Sequence, residues 1–175
     1  VEADIAKMDL KKKFDIVFSI GVIHHTDDPD MTVENLKKHV KEGGRFIVWV
    51  YSKEGNALVK YGVEPLRKMF LKNMSRENLL GLSKAVTAAL YIPVYTLYML
   101  PLKFLPFYEY FGNFRKMTFE RNNLNVFDKL NAPQVDFISK ERIEKWFSRD
   151  EFENVSINPY KGVSWSASGV RKNSK

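Results

Sequence analysis

The stretch FDIVFSIGVIHHTDDPD, residues 14 to 30, runs from an apolar string through a glycine into two histidines, then into aspartates set around Pro29. Its first seven residues show no period-2 alternation, which predicts a parallel strand covered on both faces, with Gly21 as its stop. The next stretch, MTVENLKKHVKEGG (31–44), predicts a helix. Asp30 is the expected N-cap, and Asp27 and Asp28 are expected turn formers beside Pro29. Val33, Leu36 and Val40 recur on one face, His39 falls on the helix, and Gly43 stops it. RFIVWVYS (45–52) then reads as a second buried strand. Strand, helix and strand make a βαβ unit, which calls for a parallel sheet with a right-handed crossover.

Outward from this unit, composition sets limits. The chain has 175 residues, 45% of them hydrophobic, enough for one domain with a substantial core or for part of a larger one. Its net charge of +7 favours acidic partners or anionic lipid. Cysteine is absent, so disulfide scaffolds, thiolate metal sites and cysteine nucleophiles are excluded. The opening VEADIAKMDLKKK lacks an apolar segment of signal-peptide type, and the chain is expected to begin inside a longer protein.

Residues 56–135 break the strand-helix rhythm and read as a helical insertion. Pro65 suits the first turn of a helix over 65–74, and Ser75 suits the cap of another. The latter runs into an uncharged stretch, 85–102, interrupted by Pro93 and Pro101. By count that stretch could cross a bilayer; its prolines and tyrosines favour contact with a membrane surface through 85–106. The insertion holds eleven of the basic and five of the acidic residues, and so nearly all of the net charge. Its tyrosines and phenylalanines are read either as core or as a cap over an acceptor. Beyond it, ISKERIEKWF has Ser139 as a cap, with Ile143, Trp146 and Phe147 on one face. Two strands at ENVSINP and GVSWSASGVRK form an antiparallel edge.

The segments EADIAKMDL, KKFDIVFSIGVIHHTDDPD and LKKHVKEGGRFIVWVYSKEGN together resemble the second half of the class I S-adenosylmethionine-dependent methyltransferase domain, of the kind acting on small molecules, sugars and lipids. The tail from NVFDKLNAP to ISKERIEKWFSRDEFENVSI is similar to the C-terminal segment of a bacterial branch of that family. The resemblance implies an α/β fold: the C-terminal half of a Rossmann-like methyltransferase sheet with a helical insertion. Residues 1–55 would be a partial cofactor-binding core, 56–135 the insertion or cap, and 136–175 the helix and edge strands completing the sheet. The family's glycine-rich GxGxG turn and the acid ending its second strand are not present, so the chain is expected to be a fragment, inactive alone. It is expected to be cytoplasmic, with membrane association as an addition.

The same resemblance implies the site. Asp4 would accept a hydrogen bond from the adenine amino group of S-adenosylmethionine, and Ile5 would meet the ring. Ser19, Ile20 and Gly21 would line the methionine end. His24 and His25 fall just past the strand, beside the transferred methyl, where an imidazole would order the cofactor or accept a proton. The alternative reading of the pair is a turn that bonds backbone. No metal site is expected. Base methylases of this superfamily carry an Asp/Asn-Pro-Pro-aromatic string after the same strand. Here that place is SIGVIHH, and NAPQ (131–134) lies far downstream, so the acceptor is expected to be a small molecule, sugar or lipid and not nucleic acid. The competing function is a non-catalytic or membrane-surface partner chain with a methyltransferase-like fold.

Overall fold

The structure, a computed structural model, describes residues 2–71, 73–131 and 135–173. Lys72 of the expected helix 65–74 and residues 132–134 of NAPQ lie outside the described residues. In order, the elements are β1 (Phe14–Ile20), α1 (Pro29–Lys37), β2 (Val40–Tyr51), α2 (Glu64–Leu66), α3 (Arg76–Val94), α4 (Tyr108–Phe114), α5 (Phe119–Asn131), α6 (Lys140–Trp146), β3 (Phe152–Tyr160) and β4 (Ser164–Arg171). The chain divides into two compact units, Val1–Asn56 with Gln134–Lys175, and Ala57–Pro133.

The first unit is a mixed α/β layer. Its four strands lie in the order β1-β2-β4-β3, with β1 parallel to β2 and the remaining neighbours antiparallel. Val33 and Leu36 of α1, Phe46, Val48 and Val50 of β2, and Ile143 and Trp146 of α6 form the buried core. Each such side chain contributes about 1.5 to 3 kcal/mol by leaving water. Ser139 caps α6 through a bond its side chain accepts from Arg142 N.

Several expectations are corrected here. α1 ends at Lys37 and β2 begins at Val40, so His39 sits in the turn between them and not on the helix. Gly43 and Gly44 do not stop a helix; they shape a bulge. The pairing steps from Phe14↔Val40 to Ile16↔Arg45, so three extra residues on β2 are looped out. Gly43 takes φ +71°, and a Cβ on Gly44 would lie 2.8 Å from the Lys41 carbonyl oxygen. Two glycines in a row permit this backbone whatever helical pattern precedes them.

The N-cap of α1 is Asp28, whose side chain accepts from Met31 N at 2.9 Å, and not Asp30. With Pro29 at the first helical position, the residue before it takes the extended backbone that a cap needs.

β1 is not covered on both faces. Val17 packs against the core and Ser19 is buried, whereas Ile16, Phe18 and Ile20 are 60%, 68% and 54% exposed. An unbroken apolar run records that both faces suit burial; what covers the second face is decided elsewhere.

The second unit is helical. A continuous helical run that includes Val59–Leu71 passes through α2, with widened π turns, Val59–Val63 and Arg67–Leu71, on either side of it. It starts well before Pro65, because a widened turn takes the ring that cannot donate to the preceding turn. Ser75 caps α3 by accepting from Asn78 N. α3 packs on α5 around Val94, Phe114 and Val126. The polar contacts within this unit include Asn122, whose Nδ2 donates to the Phe114 carbonyl at 2.9 Å. The uncharged run 85–102 is broken where α3 ends at Val94, and no helix among the described residues is long and apolar enough to cross a membrane.

Candidate functional site

β1 ends because Gly21 adopts φ +76°, a conformation that costs a side-chain-bearing residue about 1 kcal/mol or more, while its N–H donates to the Trp49 carbonyl at 3.0 Å. A tight turn, Ile23–His25, follows. Thr26 closes it by donating its hydroxyl to the Ile23 carbonyl at 2.7 Å, and Thr32 of α1 donates to Thr26 Oγ1 at 3.0 Å. The two histidines therefore stand at the carboxyl end of a parallel strand, beside the N-terminus of the crossover helix, where ligands of open α/β sheets bind.

Around them the structure assembles an aromatic wall. The ring of His24, 1% exposed, lies 4.3 Å from those of both His25 and Tyr51 and 6.2 Å from that of Trp49. Tyr51 stacks on Phe137 with ring centroids 6.5 Å apart. The segment carrying Phe137 is stitched on by backbone: Asp136 N donates to the His24 carbonyl at 2.8 Å and Ile138 N to the Tyr51 carbonyl at 2.9 Å. His25 is half-buried and the more accessible imidazole.

The other expected site residues are distributed. Ser19 is buried, and its Oγ has no hydrogen-bond partner among the described residues. Ile20 is exposed on the open face of β1. Asp4 is exposed and caps a short turn, its Oδ1 accepting from Ala6 N at 2.9 Å. Asn35 secures that turn by donating to the carbonyls of Ile5 and Met8 at 3.1 and 2.9 Å. Asn35 lies six residues along α1 from Pro29, about 9 Å at 1.5 Å per residue, so the turn of Asp4 and Ile5 is anchored toward the far end of α1 from the histidines.

The rim is braced by charge. Arg142 of α6 grips Asp30 through Nε and Nη2 at 2.8 and 3.0 Å, and its Nη1 reaches Asp136 at 2.5 Å. Trp146 Nε1 also donates to Asp30. The Arg142 guanidinium holds the Asp30 carboxyl below the ordinary carboxylate range, and the Trp146 bond adds to this against a cost of partial burial. Among the described residues no group of three His, Asp or Glu is placed to hold a metal ion.

Sequence reasoning missed Trp49, Tyr51, Phe137 and the Arg142–Asp30 brace. The alternation along β2 carried a signal for the first two: Phe46, Val48 and Val50 face the core, which sends Ile47, Trp49 and Tyr51 to the opposite face. Phe137 and Arg142 carried none, because Tyr51 and Asp30, the residues they meet, lie far away in the sequence.

Residues 1–46, spanning β1, α1 and the start of β2, match the family model of a methyltransferase domain. No curated protein matches the chain.

Proposed function

We propose that this chain serves S-adenosylmethionine-dependent methyl transfer to a small-molecule, sugar or lipid acceptor, as the C-terminal half of a class I, Rossmann-like sheet. The match over residues 1–46 to a methyltransferase domain carries the reading. The location of His24 and His25 at the carboxyl end of β1 agrees with it.

The residues present fit one side of such a cofactor. Ser19 Oγ is a buried polar atom lacking a partner among the described residues, Gly21 leaves its missing Cβ position facing the Trp49 ring at 3.6 Å, and the exposed Asp4 carboxylate has capacity beyond its bond to Ala6 N. When bound, the cofactor supplies an electrophilic methyl on a sulfonium, which an acceptor atom displaces in line. The protein's part is chiefly positioning and exclusion of water. Asp4 would hold the adenine amino group. Trp49, Tyr51 and Phe137 would wall the methyl side from solvent. His25, the more open imidazole, would take a proton from an acceptor hydroxyl, with His24 shaping the turn beneath it. The run 85–106 of the second unit would meet a membrane surface if the acceptor is a lipid.

The open face of β1 favours a sheet completed by further polypeptide, either of the same protein or of a partner chain. In that case S-adenosylmethionine binds weakly or not at all to the 175 residues alone, and binds when the covering polypeptide is present. Titration calorimetry on both forms tests this. Micromolar affinity for the 175-residue form would sink the half-sheet reading, and no affinity in either form would sink the cofactor assignment. In the complete assembly, Asp4→Ala should weaken cofactor binding by about 1 to 3 kcal/mol, the usual cost of losing a charge-assisted bond.

A further inference from the structure

The helical run 59–71 of the second unit is turned inside out. Leu58, just ahead of it, then Tyr61, Leu66 and the adjacent pair Met69 and Phe70 fall on one side of a helix whose turns alternate between α and π, and all five are open to solvent. Met69 is 72% exposed and Phe70 63%. The ion pair of the same run points the other way. Arg67 is 5% exposed and donates from Nη2 to Glu64 Oε2 at 2.7 Å, and its Nε has no hydrogen-bond partner among the described residues.

In water this arrangement is unfavourable twice, because it buries charge and exposes large apolar side chains. It becomes favourable where the outer medium is apolar. The charge of the unit says which apolar medium. Ala57–Pro133 holds eleven basic and five acidic residues, so six of the seven net positive charges of the chain lie there. Lys60 sits over the Tyr61 ring at 5.6 Å, and Lys68 directly precedes Met69. An apolar stripe with lysines beside it is how a helix lies in the interface of an anionic bilayer, with stems on the acyl boundary and ammonium groups among the headgroups. Elsewhere in the same unit Ile92 and Phe104 are also open, the latter next to Lys103.

We propose that the second unit docks on anionic lipid surfaces, inserting the side of the run 59–71 that carries Leu58, Tyr61, Leu66, Met69 and Phe70. This stands whether or not the first unit serves methyl transfer.

The experiment is co-sedimentation of the full chain with vesicles of phosphatidylcholine alone and of phosphatidylcholine with phosphatidylserine, at low and high salt. The expected result is binding to the phosphatidylserine vesicles that weakens in high salt. Met69→Asp and Phe70→Asp should each lower partitioning about tenfold or more, since one large side chain taken out of water contributes on that scale. Both variants should melt at the temperature of the unaltered chain. Phe70→Trp should show a blue shift of its fluorescence relative to the same variant without vesicles. Four results would each overturn the proposal: no preference for phosphatidylserine, equal binding by the Asp variants, a lowered melting temperature in them that shows the face packs inside the protein, or a dimer that the Asp variants dissociate without any lipid binding.

Discussion

His24 and His25 adjoin in sequence and differ in surroundings. The His24 ring is enclosed by His25, Tyr51 and Trp49, and its carbonyl holds the 136–138 segment; His25 is half-buried. Truncating a fully buried ring leaves a cavity whose lining loses its contacts. His24→Ala should therefore cost about 2 to 4 kcal/mol in a urea melt, and under the proposed function cofactor binding by the complete assembly should weaken with it. His25→Ala should be milder on stability. If His25 accepts the acceptor's proton, its loss should lower turnover of the complete assembly about 100-fold with cofactor affinity unchanged. A His25→Ala enzyme with normal turnover would return both imidazoles to shaping the turn.

At the scale of elements, α1 and α6 are clamped by Asp30, Arg142 and Trp146, and this clamp makes a pH prediction. The folded carboxyl of Asp30 titrates below its unfolded value. Its contribution is thus complete above the unfolded carboxylate pKa, near 4, and is lost as pH falls through the lower folded value. Asp30 is more than half exposed, so Asp30→Asn should cost only about 1 kcal/mol at neutral pH, and the difference from the unaltered chain should vanish in strong acid. A deficit that persists at the lowest pH would mean the packing of Trp146, and not the charge, holds the helices together. The bulge in β2 makes a second prediction. A Cβ on Gly44 would meet three backbone oxygens, those of Lys41, Asp15 and Phe14, at 2.8 to 3.1 Å. Backbone cannot swing aside as a side chain can, so Gly44→Ala should destabilise by about 1 to 3 kcal/mol, measured as a lowered denaturant midpoint.

Across the described residues, apolar surface remains in water at several places. These include the outer face of β1, whose unbroken apolar run suits burial, and the outer side of the run 59–71. Phe18 illustrates the first. Being 68% exposed, it contributes little to the stability of these residues, so Phe18→Lys should shift the unfolding free energy by no more than about 0.5 kcal/mol. The same substitution should reduce self-association in analytical ultracentrifugation, because charge on an exposed edge strand blocks strand addition. A large loss of stability would show that Phe18 is covered after all.

The βαβ unit, the caps at Ser75 and Ser139, the turn at Gly21 and the inward face of α6 were all legible in the sequence. Each depends on interactions within a few residues, where apolar period, hydroxyl caps and glycine conformations leave little choice. The end of α1 was not legible. The string VKEGG continues a helical pattern locally, and only pairing of Val40 with Phe14 and the close approach of the Gly44 backbone turn it into a strand. The site divides along the same line. Its histidines and Gly21 could be named from sequence, and the alternation along β2 carried a signal for Trp49 and Tyr51, whereas Phe137 and the Arg142–Asp30 brace could not be read there. By itself, the sequence determined which segments form elements and which faces are apolar, because those follow from local sterics and periodicity. Tertiary structure alone decided which apolar faces meet one another, because contact between residues far apart in sequence depends on the path of the whole chain.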